Sequence, residues 1–533
     1  MARRAKILLF CHVSNTRSIT GAEKLLLHFC RELGKYFDCV LIAPNEGKMT
    51  AMARRHGIQV RLLSSPMLHG MCSPYQGLER DAEQLRQHPS FAKMVDLVCN
   101  EQPDALLTNT CVNVLPALVG KHLGIPVIWK VTEIVASSPF TSIGAGIIDA
   151  YSDWVIGISD AVMEPLKQGS IPSKFSILPP SWNAELPEPY RWPEMRSLKR
   201  EELGFRRSRL CIGYISSFIY EGKGLKYFIQ MALRLCDTHP RCRYWIIGSP
   251  ADRKYYNDCV DMIKSSRYAK RFVFTPFVDP VASAYLAMDI VVVPSMVPEG
   301  FGMTALEGLL FSKPVVAFRQ GGLAELMENV NNGELLVEAG DSQGLANRVA
   351  VLLDHPEQTR DRGIHCHLEA RRIYGIEAYR EKMHAMVTQW IRQYPSWFPM
   401  IKQPGGPVYV WDQGELRRME VEDPAQKLVR EFPPTVLHSL PLSTQPPLNQ
   451  GAALELAAAP SPPAVPAAAG SGKKRRRRKV TKRKRSTGAK RRVKRRGLRR
   501  AGRQIAVGQR RRRVTLTARR AKKRQLRNRA ATR

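Results

Sequence analysis

The chain has 533 residues, 44% hydrophobic and 24% charged, a balance that fits a globular protein with more than one core. Its formal charge of +36 is unevenly spread: 32 of the 83 Lys and Arg stand after position 470, where Asp and Glu are absent, leaving the first 470 residues at +4. No run reaches the roughly 18–20 apolar residues of a membrane-spanning helix. The apolar stretch near the start stops at His12 with no small-residue cleavage site, so it reads as a first strand and not as a secretory signal. The 11 cysteines include no C-x-x-C pair. A cytoplasmic protein with reduced thiols is expected.

Short β-branched runs predict strands at 7–10, 39–42, 105–107, 127–129, 154–158 and 176–178, with a helix over 22–33. Pro179, Pro180, Pro187, Pro189 and Pro193 then crowd residues 179–194, where neither helix nor sheet can continue, so a connector is expected there. A second series follows at 211–215, 244–247, 273–274, 290–293, 314–318 and 334–337, with helices over 225–235 and 306–310. Two series of alternating strands and helices predict two parallel sheets, each covered by helices on both faces. The cleft between such domains, at the carboxyl ends of the strands, is the expected ligand site.

From 403 to 472 the composition turns to Pro, Ala and Ser, which predicts an extended linker. Residues 473–533 are rich in Lys and Arg and contain no aromatic side chain, so a disordered basic tail is expected. Such a tail is suited to an anionic membrane surface, nucleic acid or another anionic polymer. A solvated extension with no partner is the plainer alternative.

The most informative stretch is 291–337, which contains P-E-G-F-G-M-T-A-L-E. Seven residues separate Glu299 from Glu307, and Gly300-Phe301-Gly302 opens the segment. A strand ending near Val293 and a helix beginning near Met303 would aim backbone N–H groups at an anionic ligand. Glu307, one turn into that helix, is placed to accept hydrogen bonds from vicinal hydroxyls. Two surface glutamates beside a helix start are the alternative on spacing alone.

This region resembles the retaining nucleotide-sugar glycosyltransferases of family 4. The likeness continues in Gly321-Gly322 with Glu325, in Asn332-Gly333, in Glu221-Gly222-Lys223-Gly224, and more weakly in Gly21-Ala22-Glu23. The resemblance implies a GT-B fold of two facing Rossmann-like domains: an acceptor-side domain at 1–185, a donor-nucleotide domain at 186–375, and a return helix at 376–402 packing on the first domain. It implies that Glu307 binds the donor ribose and Glu299 the donor sugar. The backbone from Gly300 through Phe301, Gly302, Met303 and Thr304 would hold sugar or phosphate, with Gly21 approaching from the first domain. Lys223 would neutralise the departing diphosphate, so no metal and no cofactor is expected.

The sequence departs from the family pattern twice. Ser216-Ser217-Phe218-Ile219 stands where many members carry a phosphate-binding Arg, and Lys130-Val131-Thr132-Glu133 stands where many carry a first-domain His. Thr132 and Glu133 are then the candidates to face the sugar, and Ser159 is a candidate contact whose other reading is a helix cap. The expected partners are a nucleotide-sugar donor and a glycan, lipid-linked or small-molecule acceptor. The expected location is the cytoplasm, with attachment to the inner membrane face as the further option. A non-catalytic nucleotide-sugar-binding homologue, and a nucleic-acid-binding protein acting through its tail, are the alternatives.

Overall fold

The computed structural model describes residues 3–458, apart from 17–18, 182–185, 207, 279 and 420–428. The expected basic tail at 473–533 lies outside the described residues. Among the described residues, eighteen strands run in chain order. β1 (Arg3–Arg4), β2 (Lys6–Phe10), β3 (Asp38–Ala43), β4 (Gln59–Leu62), β5 (Ala105–Asn109), β6 (Val127–Val131), β7 (Trp154–Gly157) and β8 (Phe175–Ile177) come first. β9 (Leu210–Ile219), β10 (Cys242–Pro250), β11 (Phe272–Thr275), β12 (Ile290–Val293), β13 (Val315–Phe318) and β14 (Leu336–Val337) form the second series. β15 (Met400–Lys402), β16 (Val408–Asp412), β17 (Glu415–Arg418) and β18 (Val429–Glu431) complete the set.

The first sheet is parallel, in the order β4-β3-β2-β5-β6-β7-β8, and the second is parallel in the order β11-β10-β9-β12-β13-β14. Their central strands are buried along their length, which is why they read as continuous apolar runs. The sequence reading missed β4, whose Gln59-Val-Arg-Leu lies at the sheet edge and is mostly exposed. The proline-rich connector leads into helix Trp192–Glu202, whose Arg196 and Arg200 clasp Asp289 of the second domain at 2.5 and 3.2 Å.

Helix Ile376–Gln393 packs on the first domain as a return helix. Its Tyr379, Met383, Val387 and Trp390 share one buried cluster with Leu26, Phe29 and Phe37, and Arg380 Nε meets the buried Glu32 Oε2 at 2.9 Å. The expectation of helix through 402 is corrected at its end, because residues 400–402 are β15.

The expected linker at 403–472 is corrected over its described part. β15 to β18 and β1 form a third sheet in the order β1-β18-β15-β16-β17, backed by helices Pro434–His438 and Gln450–Ala458. Alternation in Val-Tyr-Val-Trp-Asp drives β16. Gln413 and Gly414, at φ +50° and +88°, supply a tight two-residue turn into β17. Phe398 and Phe432 then close on Phe37 with ring centroids at 5.9 and 5.7 Å, so this segment completes the first domain's core. Averaging its composition with the Ala/Pro run beyond it hid the hairpin.

Candidate functional site

The two domains meet across a cleft of about 420 Å³ at the carboxyl ends of both sheets. Lys223, Glu299, Gly300, Phe301, Gly302, Met303 and Thr304 line it from the second domain, and Gly21, Thr132 and Glu133 from the first. The candidates from four separate stretches of sequence are therefore brought together.

Lys223 ends a short turn after β9, and its Nζ lies 2.6 Å from Glu299 Oε1. The same oxygen accepts a hydrogen bond from Ser295 Oγ at 2.7 Å. Ser295 is 2% exposed, so the carboxylate is held by a fixed donor on one side and a longer, half-buried cation on the other. Nothing in the motif spacing singles out Ser295, and only its position four residues before Glu299 could have drawn attention to it.

Gly302 caps helix Met303–Leu310 at φ +97°, a left-handed conformation that a side chain disfavours, and a Cβ there would lie 2.8 Å from Leu323 Cδ1. Gly300 meets the first domain directly: a Cβ on it would stand 2.2 Å from the Thr132 carbonyl. Ser159 Oγ donates to the Gly300 carbonyl at 2.6 Å and accepts from Val162 N at 3.1 Å. Both readings of Ser159 therefore hold in part: it caps a short helix and ties the domains together. Ala161 N donates to Glu325 Oε2 across the same seam at 3.2 Å. The Phe301 ring is 4% exposed and packs edge-on against Tyr374 at 5.2 Å, so only its backbone faces the cleft chemistry.

Glu307 is not among the cleft-lining residues. It sits one turn further along the helix, half-buried, where Tyr285 Oη donates to its Oε2 at 2.6 Å. Burial raises its pKa from 4.5 to about 7, against the opposing pull of the Tyr285 hydroxyl and of Lys24 in the first domain. Tyr285 is fully buried and stacks on Phe311 at 5.7 Å. It lies 22 residues upstream, outside any motif, and no local pattern marks it.

On the first-domain side, Thr132 Oγ1 donates to Glu133 Oε1 at 2.7 Å, and Cys111 N donates to Glu133 Oε2 at 3.1 Å. Lys130 is buried at the end of β6, with its pKa lowered to about 8 by burial despite the nearby Glu133. Its ammonium lies 5.8 Å from the centre of the Phe29 ring. At the place where the resemblance puts an Arg, Phe218 lines the cleft and is 42% exposed. β9 reaches this far because it continues beside β10 past a register shift at Gly248. Among the described residues, no group of three or more His, Cys, Asp or Glu side chains is placed to hold a metal ion, and no helix is long and apolar enough to cross a membrane. His367, part of the His365-Cys366-His367 run, is occupied by the Leu310 carbonyl at 2.7 Å.

Two parallel α/β domains facing one another across a cleft define the GT-B class of fold. The family described as glycosyl transferases group 1 matches residues 209–355, the part that carries Lys223, Glu299 and Glu307. The 2-deoxystreptamine glucosyltransferase of Streptomyces kanamyceticus is 30% identical over 147 residues, covering 27% of this chain and 36% of that one. The D-inositol 3-phosphate glycosyltransferase of Corynebacterium urealyticum is 32% identical over 166 residues, covering 30% and 38%. The chain thus spans well under half the length of these relatives. Among solved structures, Anabaena HepE in complex with UDP and glucose superposes with a TM-score of 0.60 at 20% identity, over 72% of this chain and 100% of that one. Sucrose-phosphate synthase from Thermosynechococcus elongatus gives 0.55 at 19% identity, over 72% and 99%.

Proposed function

We propose that this chain is a retaining glycosyltransferase of the family 4 kind, moving a sugar from a nucleoside diphosphate donor to an alcohol acceptor without a metal ion. The observation that carries the reading is the Lys223–Glu299 pair, at 2.6 Å, set in the interdomain cleft beside the Gly302-capped helix start. A leaving nucleoside diphosphate gains negative charge in the transition state, and a fixed cation there stabilises it. When donor enters, Lys223 turns part of its attraction from Glu299 to the diphosphate, and Glu299 is released to accept hydrogen bonds from sugar hydroxyls. Glu307, oriented by Tyr285, accepts from the ribose. Thr132 and Glu133 complete the sugar side from the first domain, and closure of the cleft excludes water from the activated donor. We read departure and attack as occurring on one face of the sugar, which keeps its anomeric configuration without a covalent intermediate.

HepE is described with UDP and glucose, which makes UDP-glucose the first donor to test. The acceptor classes remain a glycan, a lipid-linked sugar or a small molecule. We read residues 473–533 as a polycation for anionic surfaces or polymers in the cytoplasm, binding through counterion release and weakening steeply with salt. The test is release of nucleoside diphosphate by the full chain from a panel of nucleotide sugars. Release should fall by about 10²–10³ in Lys223→Ala and be lost in Glu307→Ala. A non-catalytic nucleotide-sugar-binding protein is the second reading, favoured by Phe218 at the expected Arg position. It predicts binding without release whatever acceptor is supplied.

A further inference from the structure

Cys72 and Cys111 lie 39 positions apart in sequence, yet their sulfurs stand 3.5 Å from each other. Cys72 ends the turn His69–Cys72 and is half-buried, whereas Cys111 follows β5 and is buried. Both are tied through the backbone to the loop after β6. The Cys111 N–H donates to Glu133 Oε2 at 3.1 Å, and Ala136 N–H donates to the Cys72 carbonyl at 2.8 Å. The two thiols therefore bracket residues 133–136, the first of which lines the cleft.

Cys30 and Cys39 also interact, but both are buried, so a reagent in solvent has no path to either. Cys72 is different in being reachable. Its neighbour's S–H stabilises the Cys72 thiolate and holds that thiol below the ordinary range, while the same contact, with burial, pushes Cys111 up. A reachable thiol favouring the thiolate, beside a buried second thiol, is the arrangement of an attacking and a resolving cysteine.

We propose that Cys72 and Cys111 form a reversible thiol–disulfide site whose oxidant is a small disulfide of the glutathione class, and that closing it displaces Glu133. The Cys72 thiolate attacks one sulfur of the small disulfide, forming a mixed disulfide and expelling one thiolate, which takes up a proton. Cys111 then loses its proton and attacks the Cys72 sulfur, expelling the second small thiol. Two protein thiols are oxidised and one small disulfide is reduced to two thiols. Bond formation draws the sulfurs from 3.5 Å to about 2.0 Å. Where the Cys111 backbone follows its sulfur, the hydrogen bond from its N–H to Glu133 lengthens or carries the carboxylate with it.

The full chain is equilibrated in oxidised and reduced glutathione, alkylated, digested and mapped by mass spectrometry. The expected product is a peptide cross-linked through Cys72 and Cys111, with Cys30 and Cys39 still thiols, reversed by dithiothreitol and absent in Cys72→Ser. Amide exchange then compares peptides spanning 133–136 in the two forms, and at least a threefold change in rate is expected in the wild type on oxidation, with none in Cys72→Ser. Glutathione left on Cys72 without the cross-link, or oxidation of all four cysteines together, overturns the site. A cross-link with unchanged exchange at 133–136 overturns the displacement of Glu133. Both measurements are independent of the reaction the cleft performs.

Discussion

Replacing Glu307 with Gln isolates the charge of a carboxyl group that folding moves out of water. Its pKa rises from 4.5 to about 7 in the fold, chiefly by burial. Between those values the folded chain binds a proton that the unfolded chain has released. Stability therefore falls as pH rises through this window, the reverse of the usual salt-bridged carboxylate. From pH 5 to pH 8 the full shift corresponds to about 2.5 kcal/mol, and partial exposure to solvent reduces this to about 1–2 kcal/mol. Gln keeps an oxygen for the Tyr285 hydroxyl and the volume of the site, so the neutral variant should lose the pH dependence without losing the contact. The assay is urea denaturation of wild type and Glu307→Gln at half-unit steps from pH 5 to 8. The difference between the two curves should narrow or change sign in favour of the variant as pH rises. Parallel curves, or a wild type gaining on the variant towards pH 8, would refute the assignment of a half-buried, proton-retaining carboxyl. If Glu307 also receives the ribose, nucleotide binding should strengthen over the same interval, since the ionised form is the better acceptor.

Gly300→Ala places a Cβ 2.2 Å from the Thr132 carbonyl, forcing the domains apart; donor turnover should fall by at least about 100-fold, while the far-ultraviolet circular dichroism stays as in wild type. Phe218→Arg adds a cation to the cleft and should tighten nucleoside diphosphate binding by about threefold to tenfold at low salt, the gain shrinking at high salt, as read by calorimetry. Arg380→Ala leaves the buried Glu32 with Lys35 as its remaining ionic partner. It should cost about 1–2 kcal/mol in urea denaturation, with a larger loss in the double variant with Lys35→Ala.

The parts of the fold that were legible are those whose residues carry a strong local signal. The central strands of both sheets are buried on two faces and so spell out apolar runs, and Gly302 with Met303 marks a helix start by backbone need alone. β4 escaped because an exposed edge strand has no apolar pattern to show. The third sheet escaped because its strands are short and one of its pairings joins strands over 400 residues apart, Arg3 with Arg430. Within the candidate site, Lys223 and Glu299 were found through motif order, whereas Ser295 and Tyr285 serve by position in space. Glu307 was read correctly as a residue of that helix, yet its distance from the cleft wall came from packing, which spacing does not encode.

The pairing of β1 with β18 also bears on how the chain reaches this structure. Asp104 is clasped by Arg3 at 2.7 Å and by Arg430 at 2.7 Å, partners 101 and 326 positions away. The second domain is an insertion between two halves of the first: it can condense from its own neighbours in sequence, while the first cannot finish until residues beyond 430 have arrived. Loops of that span close late and slowly. A chain growing from its N-terminus would thus hold a folded donor domain beside an incomplete acceptor domain, its Phe37 face uncovered until the last strands dock.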